Sequence, residues 1–177
     1  MIRGDRNAPI TLVAYIGFQS DFRGVDFRTI ESLRRKYGRR LRFVYKHDMR
    51  MSHSFPQDVS SARWFEAAAL QSPEKAWLFY DKMTENQNLL ADPVGADHLF
   101  RHTLSELGLD LAKAEKDAAS QGVQSEIDAD THEAADLGLP HVYPTFLLNG
   151  VVIQGGTSPA YFDMVIDRLT SKSPGFR

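Results

Sequence analysis

The run Ile10-Thr11-Leu12-Val13-Ala14-Tyr15-Ile16 limits the fold more than any other stretch of the chain. It is almost continuously apolar and rich in β-branched side chains, so it has no polar face to give to water. Such a segment reads as a strand buried on both sides, as in parallel sheets covered by helices. A second strand is predicted at 41–46. Between the two, Phe27, Ile30, Leu33 and Tyr37 recur at helical spacing, with Arg28, Arg34 and Arg35 interleaved and Gly38 placed to close the helix. Two strands joined through a helix in this way form a βαβ unit, whose crossover is right-handed.

From 58 to 138 the pattern is helical, with turn residues at Ser72-Pro73, Asp92-Pro93, Gly108 and Gly122 dividing it. Trp64, Phe65, Trp77, Phe79 and Tyr80 fall at helix-like spacings and read as core. Two short strands follow at 145–149 and 151–154, joined across Asn149-Gly150, a strong hairpin signal. A last helix is predicted to start at Ser158-Pro159, with Ser as cap and Pro in the first turn, turning Phe162, Val165, Ile166 and Leu169 inward. The tail from Ser171 is predicted to fray. The order β-α-β, helices, β-β-α predicts an α/β chain with a thioredoxin fold and a helical subdomain inserted between its halves. Residues 1–177 read as a single domain, with 58–138 as the insert.

Composition narrows the function. At 177 residues, 42% of them hydrophobic, the chain can bury one good core. Twenty-one basic against 23 acidic residues leave a net charge of -2, which argues against nucleic acid or an anionic membrane as the main partner. No apolar run is long enough to span a bilayer. Residues 1–9, charged at Arg3, Asp5 and Arg6, show no apolar core of a signal peptide. The chain has no cysteine, which excludes a disulfide framework, a thiolate metal site and thiol catalysis. A chain without thiols is indifferent to redox poise, so the compartment stays open.

Several motifs resemble one family. Gly4-Asp5-Arg6-Asn7-Ala8-Pro9-Ile10-Thr11-Leu12-Val13 is similar to the lead into the first strand of DsbA-like thiol-disulfide oxidoreductases. Arg42-Phe43-Val44-Tyr45-Lys46-His47, His53, the stretch from Trp77 to Asp81 and Leu107-Gly108-Leu109-Asp110 follow in the family's order. The most specific match is Tyr143-Pro144-Thr145-Phe146-Leu147-Leu148-Asn149-Gly150. The resemblance covers about 4–169 and implies a DsbA-like thioredoxin domain, extracytoplasmic or periplasmic by analogy. Active members carry Phe-Gln-Cys-Pro-Phe-Cys after the first strand; here the stretch reads Phe18-Gln19-Ser20-Asp21-Phe22-Arg23. Ser20 replaces the attacking thiol and Arg23 the resolving one. Disulfide exchange needs a thiolate and a partner sulfur, so the resemblance implies a degenerate member without that activity. The approach at 138–143 is also one residue longer than the family's Gly-Val-x-Gly-Thr-Pro.

The resemblance defines candidate ligand-binding residues: Ser20, Asp21, Phe22, Arg23, Tyr143 and Pro144. Ser20 has two readings. As an N-cap it accepts from free backbone N–H groups, a contribution of about 1 kcal/mol relative to Ala. As a hydroxyl at a helix N-terminus it can donate to an anion such as a glutathione thiolate. Kappa-class glutathione transferases resemble the chain in having Ser there, although their Ser-Pro-Tyr-Ser run differs from this one. Arg23 opposes the helix dipole by about 0.3–1 kcal/mol unless Asp21 or Asp26 offsets it. It reads either as such a local pair or as a planar fork for a carboxylate or sulfonate. Pro144 is, by resemblance, the family's cis-proline, retained for the chain's bend or to let Tyr143 pair its backbone with an extended peptide.

The leading expectation is therefore a redox-inactive module binding protein or peptide in a groove between Ser20 and Pro144. The alternative is a glutathione-dependent transferase or isomerase using Ser20, and a third reading is a structural domain of a larger assembly. No cofactor other than glutathione enters these readings. His98 and His102 share a helix face but lack a third metal ligand, so no metal site is expected. His47 and His53 read as packing or solvated positions, and His141 as a loop residue beside Pro144. Gly155-Gly156 lacks a phosphate-loop fingerprint and reads as a turn.

Overall fold

Ile10–Ile16 forms the central strand, β2, of a five-stranded sheet. The others are β1 (Ile2–Arg3), β3 (Leu41–His47), β4 (Thr145–Leu148) and β5 (Val151–Gln154), in the order β1-β3-β2-β4-β5. The computed structural model describes residues 1–19 and 25–171. Strands β2 and β3 run parallel, with Ile10 opposite Leu41 and Ile16 opposite His47, and helix α1 (Val25–Tyr37) makes the crossover. Asp26 in its first turn and Arg34, Arg35 and Lys36 in its last complement the helix dipole. Strand β4 pairs antiparallel to β2, from Leu12 opposite Leu148 to Tyr15 opposite Thr145.

The hairpin forms across Asn149 and Gly150, both in the left-handed region at φ 46° and 85°, as the tight two-residue turn requires. The Asn149 amide also accepts from the Thr11 N–H at 2.6 Å and donates to the Pro9 carbonyl at 3.0 Å, locking the hairpin to β2. Helix α7 (Pro159–Ser171) buries Phe162, Val165 and Ile166, with Leu169 partly buried against the core.

Five helices lie between β3 and β4: α2 (Asp58–Gln71), α3 (Pro73–Glu85), α4 (Pro93–Glu106), α5 (Leu111–Ala118) and α6 (Gln121–Asp136). Ser72, Asp92, Asp110 and Ser120 cap the last four, each side chain accepting a backbone N–H of the first turn. The final break thus falls at Ala119-Ser120, ahead of the predicted Gly122. A Ser cap outcompetes a glycine two residues later, which the helix absorbs at a modest cost.

Strand β1 was not predicted. It is two residues long and shows no alternation, and it is held by pairing with Phe43 and Val44 and by an Arg3–Asp81 ion pair at 2.6 Å. One face of the sheet sends Ile10, Leu12, Ala14, Ile16, Phe43 and Tyr45 into the main core with α1, α7 and the aromatic side chains of α2 and α3. Trp64, Phe65, Trp77, Phe79 and Tyr80 are all buried there. On the other face Val13, Tyr15 and Leu147 meet Ala134 and Leu139.

Candidate functional site

The chain leaves β2 through Gly17, Phe18 and Gln19, and the last two are fixed by different devices. Phe18 is fully buried, its ring 5.4–5.7 Å from those of Tyr45, Phe65 and Tyr80. The Gln19 N–H donates to Asp58 Oδ1 at 2.7 Å, and the Gln19 side chain accepts from the Gln57 N–H at 2.8 Å and donates to the Leu90 carbonyl at 3.0 Å. Gln87 donates to the Phe18 carbonyl at 2.8 Å. The helical layer thus pins this loop from three points.

Asp58 is the unusual member. A carboxylate in the first turn of a helix ordinarily faces water, yet Asp58 is 0% exposed. Burial pushes its carboxyl up to about 7, against the opposing pull of the Gln19 and Phe18 N–H groups. Its Oδ2 has no hydrogen-bond partner among the described residues, nor have the hydroxyls of Tyr45 and Tyr143. Both phenols are raised by burial first and by the charge of Asp58 second. The carboxyl fills the volume that a side chain at 17 would take: a Cβ on Gly17 would lie 1.9 Å from Oδ2.

The opposite wall is the approach to β4. Tyr143–Pro144 is a cis peptide. Because Tyr15 pairs with Thr145, the antiparallel register sets Pro144 beside the end of β2, next to the loop just described. Tyr143 is buried, its ring stacked on Phe55 at 5.5 Å and 10°. Gly155 backs Pro144 so closely that a Cβ there would meet Pro144 Cδ at 2.4 Å and the Tyr143 carbonyl at 2.7 Å. The Gly156 N–H reaches Asp26 at 3.3 Å, which joins the first turn of α1 to the same corner. From the other side Arg50, paired with Asp48, donates to the carbonyls of Leu139 and Pro140. A cleft of about 510 Å³ opens on the Gln19 side of the corner, lined by Gln19, Arg28, Phe55, Thr84, Gln87 and Asn88; Tyr143 and Pro144 do not line it.

Of the candidate residues, Tyr143 and Pro144 stand in this corner. Ser20, Asp21, Phe22 and Arg23 lie outside the described residues, as does the tail at 172–177. Before them, Gln19 is bound to Asp58; after them, Asp26 in the first turn of α1 accepts from the Gly156 N–H. His53 and His141 are exposed, while His47 is buried with Nε2 2.8 Å from Glu66. His98 and His102 stack on the surface, and no cluster of three metal-ligating side chains occurs among the described residues. Asp58 and Arg50 escaped sequence reading; both are charged residues whose burial depends on partners distant in the chain.

A βαβ unit, an antiparallel hairpin and a terminal helix, with helices intervening and an X-Pro corner facing the end of the first long strand, define a thioredoxin-type domain. The family model for the DSBA-like thioredoxin domain matches residues 21–167, and the chain belongs to that family. It is a cysteine-less member. Among solved structures it resembles BdbD of Bacillus subtilis (TM-score 0.78, 16% identity, 96% of this chain and 90% of that one). It also resembles DsbA2 of Pseudomonas aeruginosa (0.76, 20%, 98% and 95%) and α-DsbA2 of Wolbachia pipientis (0.77, 14%, 95% and 86%). Among curated proteins, the Na(+)/H(+) antiporter NhaA of Herminiimonas arsenicoxydans is 32% identical over 154 residues, and NhaA 1 of Mycolicibacterium vanbaalenii 28% over 158. Each match takes in 87% of this chain and about a quarter of the antiporter (23% and 24%). No helix among the described residues is long and apolar enough to cross a membrane.

Proposed function

We propose that the chain is a redox-inactive binding module that holds an extended protein segment in the corner between the start of α1 and the Tyr143-Pro144 loop. The observation that carries this reading is the pairing of a braced corner with the absence of any cysteine: Gln19, Asp58, Arg50 and Gly155 brace the described walls, and the sequence has Ser20 and Arg23 where the motif it resembles has its two cysteines. A rigid corner lowers the entropic cost of ordering a flexible ligand. Backbone groups at Tyr143 are suited to pairing with an extended chain. The antiporters matched are about four times longer than the matched stretch, so transport is no part of the proposal; a place as one domain of a larger protein is compatible with a scaffolding role.

The test has two arms. Unfolded-protein peptides titrated into the labelled chain should shift the amides of Gln19, Phe55 and Tyr143 saturably, while insulin reduction stays at the buffer rate. Peptides that shift none of these amides overturn the binding reading, and insulin turnover overturns the redox one. Glutathione is titrated in parallel: saturable binding weakened by Ser20→Ala would transfer the assignment to the transferase or isomerase class.

A further inference from the structure

Asp58 is a fully buried acid beneath the loop that follows β2. We propose that Asp58 is a proton-operated latch: its neutral carboxyl holds Gly17, Gln19 and Tyr143 in the closed corner, and its ionisation draws water under Gly17 and loosens that wall.

The geometry sets up the conflict. Oδ1 is satisfied by the Gln19 N–H at 2.7 Å, but Oδ2 lies in the space of the missing Gly17 side chain with no partner among the described residues. A neutral carboxyl tolerates this better than an ionised one, because it strands no net charge in a buried site where the hydroxyls of Tyr45 and Tyr143 also lack partners among the described residues. An ionised carboxyl has only acceptors to offer, and a buried charge short of hydrogen bonds is among the costliest groups in a protein. No cation among the described residues is paired with it or lowers its carboxyl. The loop after β2 contributes two N–H groups, β3 contributes Tyr45, and the segment before β4 contributes Tyr143. The segment after β3 contributes Asp48, whose negative charge opposes ionisation and whose partner Arg50 is committed to it. Glu66, on the same helix as Asp58, is engaged by His47. Burial accordingly outweighs the two N–H groups, and the carboxyl titrates in the neutral range.

The cheapest relief is to hydrate Oδ2. The side open to movement is Gly17, which has no side chain to anchor it, rather than the aromatic floor. Loosening would pass to Gln19, whose N–H is bonded to Asp58 itself, and to Tyr143. The latch concerns the loop alone and is read without a ligand, so its failure and that of the peptide-binding reading are separable.

The experiment is a carbon-detected NMR titration of the chain from pH 4 to 9. The Asp58 carboxyl carbon is expected to titrate with a midpoint near 7, with the Gly17, Gln19 and Tyr143 amides moving at the same midpoint. Protection of the Gln19 amide should fall at least tenfold between pH 6 and 8, beyond the intrinsic pH effect on exchange. Asp58→Asn, which keeps the acceptor for Gln19, should hold these amides at their low-pH positions throughout. A carboxyl midpoint near 4, or neighbouring amides that stay still as it titrates, overturns the latch in the parent protein alone. Amides that titrate unchanged in Asp58→Asn overturn it too, by assigning the event to a histidine.

Discussion

Arg50 grips Asp48 with two hydrogen bonds, Nε to Oδ1 at 2.8 Å and Nη2 to Oδ2 at 2.6 Å, while its remaining donors hold the carbonyls of Leu139 and Pro140. Both side chains are nearly inaccessible, at 8% and 1% exposure. The pair fastens the end of β3 to the loop that leads into Tyr143 and Pro144. Removing only the cation leaves Asp48 buried and uncompensated, so Arg50→Met should cost about 3–5 kcal/mol. The double variant Asp48→Leu/Arg50→Met should recover a large part of that loss. Urea unfolding of the parent and the three variants measures both effects.

Gly155 sets the spacing of the same corner from behind. An added methyl would meet backbone and ring atoms of Tyr143 and Pro144, which cannot yield as the end of a flexible side chain can. Gly155→Ala should therefore destabilise by at least about 1–3 kcal/mol, the usual range for overpacking. Gly138→Ala is the comparison: it has open space but φ of 64°, so its cost is the backbone strain of about 1–2 kcal/mol. Urea midpoints should place Gly155→Ala below Gly138→Ala and should show no contact-dependent shift of the Tyr143 amide in the latter.

The contrast between these residues and the strands explains what the sequence made legible. Ile10–Ile16 could be read because burial on both faces leaves a continuous apolar run, and Asn149-Gly150 because its turn needs two positive φ values. Those signals are local. The corner was found through the family motif at Tyr143 and Pro144, but its supports were not. Asp58 sits in a helix N-terminal turn, a position where acids are favoured for reasons unrelated to a site, and its partner Gln19 lies 39 residues away. Arg50 looks like any surface arginine until Leu139, 89 residues on, comes into place. Long-range pairing of charged groups leaves no periodicity, and β1 escaped for the related reason that two residues carry none.

Asp58 also fixes the sign of one pH dependence. Its folded-state carboxyl titrates near 7 against an ordinary value of 3.8, so between these limits the folded chain holds a proton that the unfolded chain has released. Stability therefore falls as pH rises from about 4 to 7, by up to about 1.4 kcal/mol per pH unit from this group, and levels off above. Asp163 and Glu133 are held below the ordinary carboxylate range and act the other way; their contribution is complete above the range where unfolded carboxylates titrate and is lost on further acidification. The two regimes separate. Denaturation at pH 5, 6, 7 and 8 should show the decline in the parent protein and a flatter profile in Asp58→Asn.

Whether Asp58 truly stands in for a side chain at 17 can be decided by a double-mutant cycle. Gly17→Ala alone places a methyl where the carboxyl already is, and the carboxyl, pinned by the Gln19 N–H, has little room to retreat. Asp58→Ala alone leaves a small void and an unpaired Gln19 N–H, a loss of about 1–3 kcal/mol. Together, the methyl enters the vacated space, so the double variant should be more stable than the sum of the singles by more than about 1 kcal/mol, the size expected for residues in contact. Additive losses within about 0.5 kcal/mol would mean that the two positions do not share a volume. The Gln19 N–H stays unpaired in the double variant, so the recovery should be partial, and the amide exchange of Gln19 should remain fast while global stability returns. That split separates the packing role of the carboxyl from its role in holding the loop.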